Sequence, residues 1–256
     1  MASYAYLDAP TPLAFAHRGG AAEGDENTAA AFARAVTLGY RYMETDTHAT
    51  SDGVAVIFHD PTLDRMLGRP GKVADVRYAD LAALRVGGAA VVPRLADVLD
   101  AWPEIRFNID VKSWPAVEPT MAAVRRTGAT DRVLLASFSS GRLARIRRTL
   151  GPAVPTSLGS REVVRLWALA KVGGRRRVRL PESVVAAQVP VRQGPLPVVT
   201  AGFVRQAHRL GLQVHAWTVD DPTEMTELLD LGVDGIMTDR IEVLREVYTA
   251  RGLWAA

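Results

Sequence analysis

The feature that most constrains the fold of this 256-residue sequence is a repeated pairing of a short β-like run with a helical stretch. Eight short runs, rich in apolar and β-branched residues, are typical of buried strands. They span residues 13–16, 41–47, 105–111, 133–137, 154–158, 184–189, 213–219 and 235–238. Most stretches between them begin with Ser, Thr, Asp or Asn and end at glycine, as helices do. The order therefore indicates eight βα units.

Eight such units predict an α/β protein with a (β/α)8 TIM barrel, because each helix returns the chain to begin a parallel strand. The competing interpretation is an open, doubly wound sheet. The length suits a single barrel domain over residues 1–256. One link is longer than the rest, since residues 48–93 separate the second strand from its helix. We expect a small insertion there, on the face that carries the chemistry of barrel enzymes.

Composition limits the chemistry that the chain can perform. It contains no cysteine, which excludes disulfides and thiolates and leaves oxygen and imidazole as metal ligands. A net charge of +3 says little about partners. The N-terminal residues do not match a secretory signal, and no apolar run reaches 18 residues, so we expect a cytoplasmic protein.

A basic segment at residues 171–179 contains five Lys or Arg residues. We interpret it as a solvated loop after the fifth helix. Because no aromatic residues alternate with the basic ones, nucleic-acid binding is not expected. The neighbouring Leu166, Trp167 and Leu169 leave contact with a lipid surface as an alternative.

Three polar residues, Glu44, Asp46 and His48, alternate along the second strand. Alternate residues share one face of a strand, which in a barrel is the interior. Two carboxylates there are costly to bury without a countercharge. Oxygen ligands favour Mg²⁺, Ca²⁺ or Mn²⁺ over Zn²⁺, so the strand predicts a divalent-cation site.

The third strand supplies Asp110 near its end, and Lys112 follows on the same face. Asp110 is the best third oxygen ligand for the cation, while Lys112 suits an anionic substrate. A buried Asp–Lys ion pair is the alternative interpretation of this pair.

Two histidines stand at predicted strand ends, His17 before Arg18 and His59 before Asp60. A single histidine in such a place is more often a packing or capping residue. Two imidazoles beside three acids form a set that can donate and accept protons near neutral pH. Arg18 and Lys112 add the fixed positive charge that a phosphate needs. Together they indicate phosphodiester cleavage.

The sequence resembles the glycerophosphodiester phosphodiesterase family over nearly its whole length. The resemblance is carried in order by AHRGG, DENTAAAFARAVTLGYRYMETDTHATSDGVAVIFHDPTLDR, FNIDVK, VHAWTVDD and GVDGIMTDR. It implies a barrel enzyme with an insertion after the second strand, which uses a divalent cation, Mg²⁺ or Ca²⁺. The implied products are sn-glycerol 3-phosphate and an alcohol, formed through a cyclic phosphate.

The resemblance also implies a role for individual residues. His17 and His59 correspond to the acid/base pair, and the remaining site residues bind the metal (Glu44, Asp46, Asp110), the phosphate (Arg18, Lys112) or lie near the site (Glu26, Trp217). An equal alternative for Glu26 is a structural role, as an acid that the helix dipole favours at the start of a helix. The alternative for Trp217 is a position in the core. His48 and His215 receive no role.

Three positions depart from the family pattern. Asp25 replaces the usual proline and adds an acid near the site, Asp110 replaces the commoner glutamate, and Asp220 replaces an asparagine that affects how its loop is held.

Two other functions remain open from the sequence. One is a lysophospholipase D or sphingomyelinase D-like phosphodiesterase, and the other is a non-catalytic phospholipid-binding barrel.

Overall fold

Eight parallel strands form a closed barrel in the computed structural model, which describes residues 4–86, 89–172 and 180–254. The strands are β1 (Leu13–Ala16), β2 (Tyr42–Ala49), β3 (Arg106–Val111), β4 (Val133–Ala136), β5 (Thr156–Ser157), β6 (Val184–Pro190), β7 (Gln213–Trp217) and β8 (Gly235–Thr238). β1 pairs with both β8 and β2, which closes the sheet. The predicted TIM barrel is confirmed, and the open-sheet alternative is wrong.

A helix follows every barrel strand. The helices are α1 (Ala29–Thr37), α2 (Leu95–Ala101), α3 (Val117–Arg126), α4 (Ser140–Leu150), α5 (Ser160–Val172), α6 (Ala201–Arg209), α7 (Pro222–Asp230) and α8 (Ile241–Ala250). Four begin at a side chain that accepts a backbone N–H of the first turn, namely Thr28, Ser139, Thr200 and Asp221. These caps satisfy N–H groups that have no partner within the helix.

Inside the barrel, the side chains nearer the amino ends of the strands are apolar, and those nearer the carboxyl ends are polar. Phe15, Tyr42 and Met237 belong to an apolar cluster inside the strands, and Tyr6 of the N-terminal segment packs edge-on against Tyr42 at 5.4 Å. Glu44 follows Tyr42 on the same face of β2 and is the first residue of the polar layer. The functional side chains therefore lie over a packed floor, at the carboxyl ends of the strands.

An insertion separates β2 from α2. It contains a strand, Ala55–Ile57, which pairs antiparallel with the end of β2, two short helices, Asp64–Leu67 and Tyr78–Ala82, and the strand pair Arg85–Val86 and Ala89–Ala90. Ala55 and Ile57 pack into the main core of the barrel, whereas a second cluster is made of Val56, Phe58, Leu63, Val73, Leu81 and Val92. The insertion predicted after the second strand is confirmed.

Four strands are shorter than predicted, and the third and the fourth differ by a single residue at one end. The fifth covers Thr156–Ser157 instead of 154–158, because Pro155 has no N–H to donate to a neighbouring strand. The seventh ends at Trp217. Residues 173–179 of the basic segment lie outside the described residues. In the part of the chain that is described, no helix combines the length and hydrophobicity needed to span a membrane.

His215 on β7 is completely buried, with Nδ1 3.2 Å from Gln188 Nε2 and Nε2 2.9 Å from Gln213 Oε1. Burial lowers the pKa of His215 to about 3. The unfolded chain, in which a histidine pKa is about 6.5, therefore binds more protons than the folded protein between these values. Stability contributed by neutral His215 is present above pH 6.5 and is lost as the pH falls towards 3.

Urea unfolding of wild type and His215→Leu between pH 8 and pH 4 tests this. Below about pH 6 we expect the wild-type free energy of unfolding to fall more steeply than that of the variant, by up to about 1.4 kcal/mol per pH unit. If the free energy of unfolding fell equally steeply with pH in both proteins, the unfolded chain would gain no extra proton at residue 215. Buried carboxylates titrate in both proteins, so the comparison isolates the histidine.

Candidate active site

A single cavity of about 390 Å³ opens at the carboxyl ends of the barrel strands. It brings together eight of the nine predicted site residues, which are His17, Arg18, Glu44, Asp46, His59, Asp110, Lys112 and Trp217. Glu26, the ninth, does not line the cavity but contacts Arg18. Side chains from several strand ends thus meet where barrel enzymes carry their chemistry.

The turn after β1 presents His17 and Arg18 to the cavity. Arg18 has φ 52° and Gly19 has φ 83°, and a Cβ on Gly19 would stand only 2.9 Å from the side chains of Ala31 and Phe32. Glycine is therefore required for the turn to pack against α1. The backbone N–H of Arg18 donates to Glu44 Oε2 at 3.1 Å, which ties this turn to β2.

His17 lies between two acids. Its Nδ1 is 2.7 Å from Asp239 Oδ1, and its Nε2 is 3.6 Å from Glu44 Oε2. Burial lowers the pKa of His17, but the carboxylates of Glu44 and Asp239 outweigh it, so that the pKa is raised. Asp239 fixes one ring nitrogen and leaves Nε2 directed towards Glu44.

The sequence interpretation gave Asp239 no role, although it directly follows a barrel strand. Asp220 positions it, because Asp220 Oδ1 accepts hydrogen bonds from Thr238 Oγ1 at 2.8 Å and from the Asp239 N–H at 2.9 Å. Asp220 therefore holds the loop after β8.

Asp25 does not add an acid to the cavity, since both of its oxygens pair with Arg34 at 2.8 Å.

Glu44 and Asp46 are buried on β2 as predicted, but their environments differ. Burial and the neighbouring Asp46 raise the pKa of Glu44 to about 7. For Asp46 the cations Lys112 and Arg18 outweigh burial and lower the pKa. Asp46 also accepts from Asn27 Nδ2 at 2.9 Å, a contact of the Glu-Asn-Thr motif that the sequence interpretation missed.

Lys112 bridges two acids from adjacent strands. Its Nζ is 2.8 Å from Asp46 Oδ1 and 2.8 Å from Asp110 Oδ2, so the buried ion pair considered for Asp110 is present. The other oxygen, Asp110 Oδ1, is buried and has no hydrogen-bond partner in the described structure. Burial raises the pKa of Asp110 despite Lys112.

These residues fit a hard divalent cation by their donor chemistry. Glu44, Asp46 and Asp110 offer only oxygen, one oxygen of Asp110 has no partner, and burial raises the pKa of Glu44 and of Asp110, as expected for acids that lack a full countercharge. Over residues 4–86, 89–172 and 180–254, however, no three His, Asp or Glu side chains are arranged closely enough to hold a metal ion. Lys112 meets Asp46 and Asp110 instead.

The insertion places His59 at the cavity. His59 Nδ1 is 2.6 Å from Asp60 Oδ1, and His48 Nε2 is 3.1 Å from the His59 backbone oxygen. His48, which had no predicted role, thus helps to place the backbone of His59. The hydrogen bond from Arg65, with a smaller effect of His59, lowers the pKa of Asp60 to about 2 against the opposing effect of burial.

Arg65 joins the insertion to the turn after β1. Its guanidinium donates to Asp60 Oδ2 at 2.6 Å and to Glu26 Oε1 at 2.7 Å, and Glu26 also accepts from Arg18 at 3.0 Å. Glu26 precedes the N-cap Thr28, and the first turn of α1 contains no acid. Glu26 therefore links Arg18 to Arg65 rather than acting within the helix.

Aromatic side chains form one wall of the cavity. Trp217 packs edge-on against Phe138 at 5.6 Å, and Lys112 Nζ lies 5.7 Å from the centre of the Phe138 ring. Trp217 is partly exposed at the cavity and is not a core residue. Phe138, which the sequence interpretation missed, is 53% exposed. Its position two residues after β4 is the signal that could have identified it.

The fold and the cavity define a (β/α)8 barrel with acids, imidazoles and cations at its C-terminal face. Residues 17–243 match the glycerophosphoryl diester phosphodiesterase family. The Mycobacterium tuberculosis protein named "Probable glycerophosphodiester phosphodiesterase 2" is 43% identical over 245 residues, covering 94% of this chain and 92% of the relative. A lysophospholipase D of Rattus norvegicus is 26% identical over 90% of this chain and 84% of its own length.

A solved structure supports the same assignment. A candidate glycerophosphoryl diester phosphodiesterase from Silicibacter pomeroyi has a TM-score of 0.79 and 26% identity, over 99% of this chain and 100% of that one. The chain therefore belongs to the glycerophosphoryl diester phosphodiesterase family. It is an enzyme, a hydrolase of phosphoric diesters with glycerophosphodiester phosphodiesterase activity.

Proposed function

We propose that the protein hydrolyses glycerophosphodiesters to sn-glycerol 3-phosphate and an alcohol, by histidine acid/base catalysis and with a divalent cation. The observation that supports this most is the shared cavity, where His17 and His59 stand with three acids and with the cations Arg18 and Lys112. The substrate phosphate would lie among these groups. In the low-dielectric cavity, charge that develops on its oxygens is stabilised strongly.

Arg18 and Lys112 would bind the phosphate. Their side chains are at least four-fifths buried, and both now contact Asp46, with Arg18 Nε at 3.3 Å and Lys112 Nζ at 2.8 Å. Glu26 holds the end of the Arg18 guanidinium and so limits its freedom. An anion entering the cavity would meet two cations that the protein already holds beside Asp46.

Glu44, Asp46 and Asp110 would hold the divalent cation, Mg²⁺ or Ca²⁺. When bound, it would supply positive charge to the phosphoryl oxygens. The unpartnered Asp110 Oδ1 and the raised pKa of Glu44 and Asp110, whose charged forms a cation would stabilise, support this ligand set. Lys112 would then turn its ammonium group from the acids towards the substrate phosphate.

His17 and His59 would move the protons in two steps. In the first, one imidazole removes the proton of the glycerol 2-hydroxyl, whose oxygen attacks phosphorus. The other imidazole protonates the alcohol oxygen as its bond to phosphorus breaks. In the second step water opens the cyclic phosphate, and the histidines exchange roles. Asp239 and Asp60 hold the Nδ1 atoms, which leaves each Nε2 for the substrate.

Assay of the purified protein with glycerophosphocholine tests the proposed function. We expect equal amounts of choline and sn-glycerol 3-phosphate. An analogue without the glycerol 2-hydroxyl, which cannot form the cyclic phosphate, should release no choline above background. Hydrolysis of that analogue at the normal rate would exclude attack by the 2-hydroxyl, and release of phosphocholine would place the broken bond elsewhere.

The same cavity leaves a second phosphodiesterase reaction open. A lysophospholipase D also releases an alcohol from a glycerol phosphodiester, and the rat relative carries that name. Comparison of glycerophosphocholine with lysophosphatidylcholine separates the two activities. A non-catalytic phospholipid-binding barrel is disfavoured, because neither histidine and none of the three acids is missing.

A further inference from the structure

Two amide side chains line the cavity and take no part in the acid/base, cation or phosphate chemistry. Asn108 lies on β3, two residues before Asp110 and on the same face, and Gln188 lies on β6. Asn108 is only 2% exposed. Because β3 runs towards the barrel mouth, Asn108 stands one polar layer deeper than Asp110, roughly 6.6 Å along the strand.

The two amides contact each other and a buried histidine. Gln188 Nε2 donates to Asn108 Oδ1 at 2.9 Å and lies 3.2 Å from His215 Nδ1. His215 is completely buried and packs against Phe15 of the apolar cluster, with ring centres 4.9 Å apart. Asn108 and Gln188, which we call the amide pair, therefore lie between the packed interior of the barrel and the cavity.

The direction of these hydrogen bonds follows from the chemistry of His215. Burial keeps its ring neutral, so one ring nitrogen donates and the other accepts. Nε2 lies 2.9 Å from Gln213 Oε1, which can only accept, so Nε2 carries the hydrogen and Nδ1 accepts from Gln188 Nε2. Both hydrogens of the Gln188 amide nitrogen are then used, one for His215 and one for Asn108.

One donor and one acceptor of the amide pair remain open. Among the residues that the structure describes, none forms a hydrogen bond with Asn108 Nδ2 or with Gln188 Oε1. If the whole chain of hydrogen bonds were reversed, donor and acceptor would exchange places, and one of each would still be open. Unpaired amide groups are costly to bury, so a partner that enters the cavity would stabilise them.

An alcohol hydroxyl is the group that matches the amide pair. It donates one hydrogen bond, here to an amide oxygen, and accepts others, here from an amide nitrogen. A phosphate offers acceptors only, and its proposed position lies with Arg18 and Lys112. Asn108 is also the register partner of Glu44 on β2, so the amide pair stands beside the acids that would hold the cation.

We propose that the amide pair binds the terminal hydroxyl of the substrate's glycerol, the hydroxyl that does not react. The inference rests on the proposed function, which places the phosphate and the attacking 2-hydroxyl at the barrel mouth. Because water must replace the leaving alcohol in the second step, that alcohol extends towards solvent, and the glycerol faces the barrel interior. Asn108 and Gln188 then determine selectivity for glycerol over diols that lack this hydroxyl.

Two diesters with the same choline leaving group test the proposal. One is glycerophosphocholine, and the other is its analogue with hydrogen in place of the terminal hydroxyl, which keeps the attacking 2-hydroxyl. We expect the wild-type kcat/KM for choline release to be at least about tenfold lower for the analogue, because it leaves the open amide groups without a substrate partner. This comparison needs no change in the protein.

Two variants connect the selectivity to the amide pair. Gln188→Met and Asn108→Leu keep the approximate size of each side chain and remove its hydrogen-bonding groups. In either variant the ratio of kcat/KM for glycerophosphocholine to that for the analogue is expected to fall at least about threefold. Damage to the fold would slow both reactions equally and leave the ratio unchanged. Ser157→Ala, which removes a hydroxyl from the cavity lining on β5, is the matched control and should keep the wild-type ratio.

The outcomes separate this inference from the proposed function. If the wild type hydrolysed both diesters with the same kcat/KM, the inference would be overturned and the proposed function would stand. Selectivity that survives both variants, or that Ser157→Ala abolishes, would place the terminal hydroxyl elsewhere in the cavity and would also overturn the inference. Failure to hydrolyse glycerophosphocholine would overturn the proposed function, and the inference with it.

Discussion

Replacing His59 with alanine is expected to lower kcat for glycerophosphodiester hydrolysis at least about 100-fold, the usual scale for loss of a general acid or base. His59 is placed at the cavity by Asp60, which holds its Nδ1, and by His48, which contacts its backbone oxygen. His17→Ala should have an effect of similar size. Steady-state kinetics with glycerophosphocholine, followed by choline release, measures both.

The control for this experiment is His208→Ala. His208 is a surface histidine that pairs with Asp234 far from the cavity, so its loss should leave turnover near the wild-type rate. If either His17→Ala or His59→Ala retained full activity, the assigned acid/base chemistry would be refuted. Circular dichroism of each variant establishes that the barrel is intact.

Removal of divalent cations with EDTA is expected to abolish diesterase activity, and addition of Mg²⁺ or Ca²⁺ should restore it. Without the cation the developing phosphoryl charge loses a source of stabilisation worth several kcal/mol. Full activity in EDTA would exclude the proposed cation. Comparing the two ions in the restored enzyme identifies which of them supports turnover.

A binding measurement distinguishes a direct role of the acids from an effect on folding. A cation that binds only the folded protein raises its melting temperature. We expect this shift in the wild type and a much smaller one in Asp110→Asn, which keeps the size of the side chain but removes its charge. Equal shifts would place the cation away from Asp110.

The barrel was predictable because its signals are local. Each strand is a short run rich in apolar residues, four helices begin at a capping side chain, and eight repeats leave few ways to pair the strands. Some predicted site residues likewise lie where strands end, as His17 and Asp110 do. Strand boundaries were less accurate where a single residue decides them, as Pro155 does.

Contacts between distant parts of the chain were not predictable. Asp239 pairs with His17 across 222 positions, and only closure of the barrel brings them together. Arg65 reaches Glu26 over 39 positions because the insertion folds back across the mouth. The cavity lining includes Gln193 of a hairpin with two-residue strands, which is too short for any periodic pattern.

Different parts of the chain support the two histidines of the site. His17 and the acids lie on or directly after the barrel strands, whereas His59 and Asp60 are flanked by Phe58 and Leu63, which belong to the smaller apolar cluster of the insertion. Small clusters open locally at lower free energy than a whole domain. Such an opening would break the ion pairs of Arg65 and move the imidazole of His59 away from the cavity while the barrel stays folded.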